Sequence, residues 1–522
     1  MSNARTLADL VQDVAVVDGG KTAIIFQEHE ISYAQLNQLI EITANALAKR
    51  GVGLGDRVCV MLPNIPHFVL AYYGVLRLGA VVVPINVLYK AEEIAYIAND
   101  SEACLVITHE AFQPQVMAAV AQAPSIREVI VVAGTKPTCD LTWWPAVPPV
   151  LDPTATPRTP VAISPDDLAV ICYTSGTTGR SKGAMLTHRN FIANCEQIEA
   201  VKQMSSNADD RLLLVLPLFH IYAMNVGLNC VLRVGGALVL MVRFEAVPVL
   251  EAIQRYRCTL FLGAPPMYVA FVNLPELNNY DLSSIRVANS GAAALPAQIL
   301  KQFKDISGVV IAEGYGLTET SPVSHSNSAG PVIKPGTVGP VIPGVEAKVV
   351  DEDGQEVPVG AEGEIVIRGE NVMIGYWRNP EASEEALRGG WLHTGDVGTV
   401  DEDGYFTIVD RMKDMINAGG FKVWPREVEE VLYRHPAVRE AAVVSMPDPY
   451  AGERPMAYVA VRDGQIVTAE ELIVYCQQRL ASFKAPTRVE FKPDLPKLPT
   501  GKILRRQLRE EARTTEATSN AP

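Results

Sequence analysis

The chain has 522 residues, 48% of them hydrophobic and 20% charged, and a net charge of −14. That length is too great for one ordinary core and predicts two or more domains, while the acidic balance disfavours a nucleic-acid surface and requires local positive charge wherever an anion binds. Eight cysteines without a C-x-x-C pair and eight histidines without metal-ligand spacing predict reduced thiols in a cytoplasmic protein and no structural metal.

In chain order, Met1 to Thr6 shows no apolar signal-peptide core. Ser32 and Gln35 match a capping box opening a helix that Lys49-Arg50-Gly51 closes. Residues 58–62, 81–85, 105–108 and 129–132 read as buried strands, separated by helices at 65–78, 91–99 and 112–122. A proline-rich connector at 137–165, carrying Trp143-Trp144, reads as an extended crossing between two halves. Strands at 168–172, 212–216, 237–242, 259–262, 285–288 and 309–311 then repeat the alternation. The pattern predicts an α/β protein with βα subdomains over about 20–165 and 166–330, mostly parallel sheets and helices on their faces. The most apolar window, 222–242, is broken by Asn225, Asn229, Arg233 and Gly235-Gly236, too often to span a bilayer; peripheral lipid contact stays open. Short strands and Gly-rich turns over 331–410 predict a small β-barrel that completes a large N-terminal domain. A charged linker at 411–413 leads to a small α+β domain at 414–510, and 511–522, without apolar periodicity, reads as a disordered tail.

Chemistry concentrates where strands end. Tyr173-Thr174-Ser175-Gly176-Thr177-Thr178-Gly179-Arg180-Ser181-Lys182-Gly183 leaves the strand at 168–172, the end at which open α/β sheets bind ligands. Its glycines let backbone N–H groups close round a phosphate, and its hydroxyls and Lys182 add donors and charge. It is not a Walker A loop, because Gly183 follows Lys182. Thr318-Glu319, after another strand, can offer a hydroxyl to phosphate and a carboxylate to Mg²⁺. Gly291-Ala292 is small enough for a planar base to lie against backbone, and Gly419-Gly420 admits a ligand close to the main chain. Segment 221–232, with 263–268, offers apolar walls and no cation before Arg233, which suits an alkyl chain; Tyr222, Met224 and Gly263 are its expected lining.

These strings, with Glu313-Gly314-Tyr315, Thr394-Gly395-Asp396, Arg411-Met412-Lys413, Phe219-His220 and Pro499-Thr500-Gly501-Lys502, stand in the order and spacing of the adenylate-forming (AMP-binding) superfamily. The chain resembles that superfamily from about residue 20 to 510, and in texture is most similar to its medium- and long-chain fatty acid–CoA ligases. The resemblance implies ATP, coenzyme A and Mg²⁺ as co-substrates and cofactor, with Thr174 through Gly179 and Lys182 on the phosphates and Glu319 on the metal. It places Thr318 on the α-phosphate, Tyr315 against adenine beside Glu313, Gly314, Gly291 and Ala292, and Asp396 and Arg411 on the ribose. Lys413 becomes the pivot of a mobile C-terminal domain and Gly419-Gly420 a wall of the coenzyme A tunnel; Lys502 is the catalytic lysine and His220 a gate over the acyl carboxylate. Asn417 stands where relatives often carry lysine, so no charged contact is expected there.

The expected reaction joins a carboxylate to AMP, releasing pyrophosphate, and then passes the acyl group to coenzyme A. Three alternatives share the fold: a 4-coumarate-like aryl–CoA ligase, an acyl-AMP ligase loading a carrier protein, and a luciferase-like oxygenase. A scaffold protein without activity would lose Lys502 or Glu319, and both are present. Composition sets neither chain length nor a choice between monomer and homodimer.

Overall fold

The computed structural model describes residues 5–132, 160–174, 181–448, 451–498 and 502–519. The expected capping box is formed: Gln35 N donates to Ser32 Oγ and Ser32 N to Gln35 Oε1, which opens the helix Tyr33–Lys49. The helix Pro66–Leu76 is buried on every side. Such a helix has no polar face to offer solvent, and it lies in the core shared by two large sheets.

The seven-stranded sheet runs Gly375–Tyr376, Lys182–Thr187, Leu168–Thr174, Val81–Pro84, Arg57–Met61, Leu105–His109 and Glu128–Val132. The eight-stranded sheet runs Val323–Ser326, Ile311–Gly316, Val287–Ser290, Leu260–Gly263, Arg211–Leu214, Ala237–Leu240, Thr22–Phe26 and His29–Ser32. Both are parallel inside, with antiparallel strands at an edge.

The sheets are not partitioned at residue 165, as the alternation alone suggested. Leu168–Thr174 joins the first sheet beside Val81–Pro84, whereas Thr22–Phe26 pairs in parallel with Ala237–Leu240 in the second. Alternation reports that strands and helices follow one another; it does not report which sheet a strand enters. Most of the connector, with Trp143-Trp144, lies outside the described residues.

Residues 345–411 carry a four-stranded antiparallel sheet, Val345–Val350, Gly363–Gly369, Leu392–Val400 and Phe406–Arg411, where the β-rich unit was expected. The small α+β unit follows: Val438–Asp448 and Gly452–Val461 form its central hairpin, with Ile416–Ala418, Phe421–Val423 and Arg488–Phe491 beside them. The tail expected to be disordered from 511 is instead part of a helix, Arg505–Ser519. Leu508 and Ala512, one turn apart, are both fully buried against the strand hairpin. Two apolar residues at that spacing are enough to dock a helix yet too few to register as periodicity.

Candidate active site

Strand ends from all these units converge, and the phosphate loop is the first element. Ser175, Gly176, Thr177, Thr178 and Gly179 lie outside the described residues, but both stems are fixed. Thr174 pairs with Lys182 across an antiparallel turn. The Tyr96 hydroxyl donates to the Ser181 carbonyl at 2.8 Å, and the Tyr173 hydroxyl to Asp100 Oδ2 at 2.5 Å. Gly183 is required where it stands: a Cβ there would meet Ile171 Cγ2 at 2.6 Å. Lys182 Nζ lies 5.3 Å from the ring centre of Tyr376.

Across from the loop, the strand Ile311–Gly316 delivers the next residues. Glu313 is buried, and its Oε1 accepts from Leu295 N at 3.0 Å, which ties the end of Gly291-Ala292-Ala293-Ala294 to this strand. Burial raises its pKa. A Cβ on Gly316 would fall 1.7 Å from the Pro322 carbonyl oxygen, so the chain can double back here only at glycine. That reversal presents Thr318 and Glu319, both half-buried. Glu319 Oε1 accepts from the Tyr376 hydroxyl at 2.8 Å. Its Oε2 has no protein partner among the described residues, and no group of three or more His, Cys, Asp or Glu there is placed to hold a metal. One carboxylate oxygen with no cage suits Mg²⁺, which keeps waters and takes its remaining ligands from substrate phosphates.

The residues expected at the ribose are better defined. Asp396 and Arg411 are cross-strand partners in register, and Arg411 Nε lies 2.7 Å from Asp396 Oδ1. The Tyr315 hydroxyl donates to Oδ2 at 2.6 Å. Burial, and then that carboxylate, hold the Tyr315 phenol well above its ordinary pKa, so it remains a donor. Gly395 N donates to Glu364 Oε1 and Thr394 Oγ1 to the Ile365 carbonyl, which locks the turn carrying Asp396.

The C-terminal unit contributes Lys502. Leu498 N donates to the Lys502 carbonyl at 2.8 Å, and Lys497 pairs with Ile503; Pro499, Thr500 and Gly501 lie outside the described residues. Surrounding protein, and next the Arg411 guanidinium, push the Lys502 pKa down from 10.5 to about 8. The side chain still reaches solvent, which moderates that drop. Burial, and then Lys502 itself, push His220 down to about 4, so its imidazole is neutral. His220 is therefore within electrostatic reach of Lys502. Lys413 is exposed in the turn Met412–Asp414, where burial by its surroundings and then Arg411 lower its pKa to about 8. The Gly419-Gly420 turn is not part of this group. Both glycines have positive φ, of 64° and 90°, and Gly420 N donates to Asn417 Oδ1 at 2.9 Å. Asn417 thus shapes the turn, a role that sequence reasoning missed. Tyr376 was missed as well, since nothing in Ile374-Gly375-Tyr376-Trp377 marks it as polar machinery.

Within the expected acyl wall at 221–232, Tyr222–Asn229 forms a π-helix, a form frequent at functional sites. Asn225 Nδ2 donates to the Ser321 carbonyl at 2.6 Å, and the Tyr73 hydroxyl to Asn229 Oδ1 at 2.8 Å, which pin it to both sides. The Tyr222 ring covers Gly291, where a Cβ would come within 3.0 Å of it; Tyr268 covers Gly263 likewise, at 2.8 Å. An apolar cavity of about 20 Å³ lies deeper, between Val226, Cys230 and Val231 of the helical segment and Leu260, Leu262, Val287 and Asn289 of the sheet. Tyr222, Met224 and Gly263 do not border it. Asn289 is buried, and its Oδ1 has no partner.

Comparison with known proteins gives a consistent result. The AMP-binding enzyme family model matches residues 11–377, and the model for the C-terminal domain of AMP-binding enzymes matches 427–502. The chain is 38% identical to a long-chain-fatty-acid–CoA ligase of Bacillus subtilis, over 97% of this chain and 94% of that one. It is also 38% identical to a feruloyl-CoA synthase of Amycolatopsis, over 94% and 95%. A solved anthranilate–CoA ligase in complex with anthranoyl-AMP superposes with a TM-score of 0.89 at 32% identity, covering 98% of both chains.

Proposed function

Because the chain belongs to the AMP-binding enzyme family, we propose that it is an acid–thiol ligase that activates a medium- or long-chain fatty acid as acyl-AMP and passes the acyl group to coenzyme A. The observation that carries this reading is the cluster of Asp396 with Arg411 at 2.7 Å and Tyr315 at 2.6 Å, with Lys502 of the C-terminal unit near enough for Arg411 and Asp396 to act on its charge. Asp396 and Arg411 hold the ribose, and Thr318, Lys182 and the loop at 174–179 hold the phosphates. Lys502 neutralises charge that gathers on the α-phosphate as the acyl oxygen bonds to phosphorus and pyrophosphate leaves. Mg²⁺ held by Glu319 and the nucleotide would supply further charge neutralisation there. Neutral His220, beside the π-helix, closes over the acyl carboxylate without competing for its charge.

Thioester formation needs the coenzyme A sulfur at the acyl carbon, beside the place that Lys502 takes during adenylation. Rotation about Lys413 would withdraw Lys502 and bring in the Gly419-Gly420 turn. Lys502→Ala is expected to abolish ATP–pyrophosphate exchange while leaving thioester formation from supplied acyl-AMP within a fewfold of the parent. Equal loss of both half-reactions would refute the assignment.

The apolar segments 221–232 and 263–268, with no cation before Arg233, support an alkyl chain. A second reading, an aryl acid, is favoured by the likeness to a feruloyl-CoA synthase and to an anthranilate–CoA ligase. Coupled AMP release with saturated acids of two to eighteen carbons and with hydroxycinnamates separates the two.

A further inference from the structure

Tyr376 stands between the two oppositely charged groups of the phosphate site. Its ring faces the Lys182 ammonium, 5.3 Å from the ring centre, and its hydroxyl donates to Glu319 Oε1 at 2.8 Å. Lys182 and Glu319 form no ion pair with each other; the ring separates them. The backbone that carries the ring is fixed on both sides. Gly375 and Tyr376 pair with Met185 and Ala184 on the strand leaving the phosphate loop. Ile374 N donates to the Met185 carbonyl and Trp377 N to the Gly183 carbonyl, at 3.1 and 2.8 Å. Met373 N donates to the Glu319 carbonyl at 2.8 Å, so one short segment is stitched both to Lys182's strand and to Glu319's turn. Tyr376 N donates to Ser383 Oγ, and Trp377 Nε1 to the Asp100 carbonyl.

An unscreened lysine and glutamate in a half-dry cleft would pair, and pairing would consume both functions: the cation that meets ATP phosphates and the carboxylate oxygen that meets the metal. A tyrosine meets each charge with a different part of itself. The π-face attracts the ammonium without neutralising it, and the hydroxyl satisfies one carboxylate oxygen while leaving the other for a ligand. We propose that Tyr376 is a positioning residue for adenylation, a spacer that keeps Lys182 and Glu319 apart and each available to Mg·ATP. This rests on the phosphate and metal roles proposed above for Lys182 and Glu319.

The test is a double-mutant cycle read by equilibrium binding. ATP affinity is measured calorimetrically in EDTA, where only the Lys182 side of the site acts, for the parent, Tyr376→Leu, Glu319→Gln and the double variant. Tyr376→Leu should weaken ATP about tenfold, because Lys182 collapses onto Glu319. Adding Glu319→Gln should restore at least about fivefold of that loss, whereas the same change in the parent should strengthen ATP less than about twofold. An equal effect of Glu319→Gln in both backgrounds overturns the proposal. Tyr376→Phe, which keeps the ring, should leave metal-free ATP affinity unchanged and raise the Mg²⁺ concentration for half-saturation about three- to tenfold. No change in Mg²⁺ dependence also overturns it, and this variant decides the matter if the leucine variant fails to fold. The underlying assignment fails separately, if Lys182→Ala leaves ATP affinity and Glu319→Gln leaves Mg²⁺ dependence as in the parent.

Discussion

Asp396→Asn isolates the sugar contact, because the substitution keeps shape and removes charge. In the parent, Oδ1 takes Arg411 Nε at 2.7 Å and Oδ2 takes the Tyr315 hydroxyl at 2.6 Å, with the carboxylate 3% exposed. Asparagine must turn its oxygen toward Arg411, since an amide N–H facing a guanidinium is repelled. Its Nδ2 then faces Tyr315, whose hydroxyl becomes an acceptor, and the ribose loses its charged acceptor. A hydrogen bond to a charged group contributes about 1.5–3 kcal/mol against about 0.5–1.5 for a neutral one, so two sugar hydroxyls lose roughly 2–3 kcal/mol together. At 1.4 kcal/mol per factor of ten, kcat/KM for ATP should fall about 30- to 150-fold. KM for acid and for coenzyme A should stay within about twofold, because neither touches Asp396. Arg411 is one-third exposed and rehydrates, so stability should drop by no more than about 1 kcal/mol. ATP–pyrophosphate exchange and a denaturant titration measure the two quantities. A fall of less than about threefold in kcat/KM would refute the ribose assignment, and a large loss of stability would mean that the Asp396–Arg411 pair serves the fold instead.

Other outcomes follow from the same geometry. Lys502 is cationic below its depressed pKa, so ATP–pyrophosphate exchange should be lost as pH rises through a limb between about 8 and the ordinary lysine value of 10.5, and thioester formation from supplied acyl-AMP should show no such limb. His220, pushed down to about 4, is neutral from pH 6 upward, so His220→Asn should not alter that limb. Arg505→Ala leaves Glu429, 7% exposed, without its guanidinium partner at 2.5 Å. It should destabilise the C-terminal unit by about 3 kcal/mol, seen as faster hydrogen exchange in Pro425–Tyr433.

Residues whose identity is dictated by backbone were the ones legible from the chain. The Ser32–Gln35 cap and the strand before the phosphate loop are local constraints, written within a few residues of where they act. Partners distant in sequence were not legible. Tyr376 is 57 positions from the Glu319 it holds, and its own neighbourhood reads as an apolar edge strand. The hairpin Thr22–Ser32 pairs with a strand some two hundred residues on, a choice that no local periodicity encodes. The π-helix escaped for a different reason: its wider turn leaves no mark in the spacing of apolar residues over Tyr222–Asn229.

The strand exchange between sheets bears on why the site works as one piece. The phosphate loop leaves the first sheet and the Thr318-Glu319 turn follows a strand of the second, so two independent sheets would let them drift apart. Instead Thr22–Phe26 and Leu168–Thr174 each cross to the other sheet, and Gly375–Tyr376 returns to the first from beyond both. The chain thus links the sheets three times, and two of these links lie at the strands that carry the stems of the phosphate loop. That leaves one sizeable freedom, the C-terminal unit, whose hold on the body includes Arg426 N on Asp410 Oδ2 and the Arg505 guanidinium near Asp410 and Asp414. These contacts are polar and partly wetted, weak enough to exchange for others of the same kind. Under the proposed function, a rigid nucleotide bed with a loosely latched lysine-bearing unit is the mechanical condition for two successive reactions of one carboxyl group, its oxygen bonding first to phosphorus and its carbon then to sulfur. The groups that hold AMP must not move while the group that stabilises pyrophosphate release must leave.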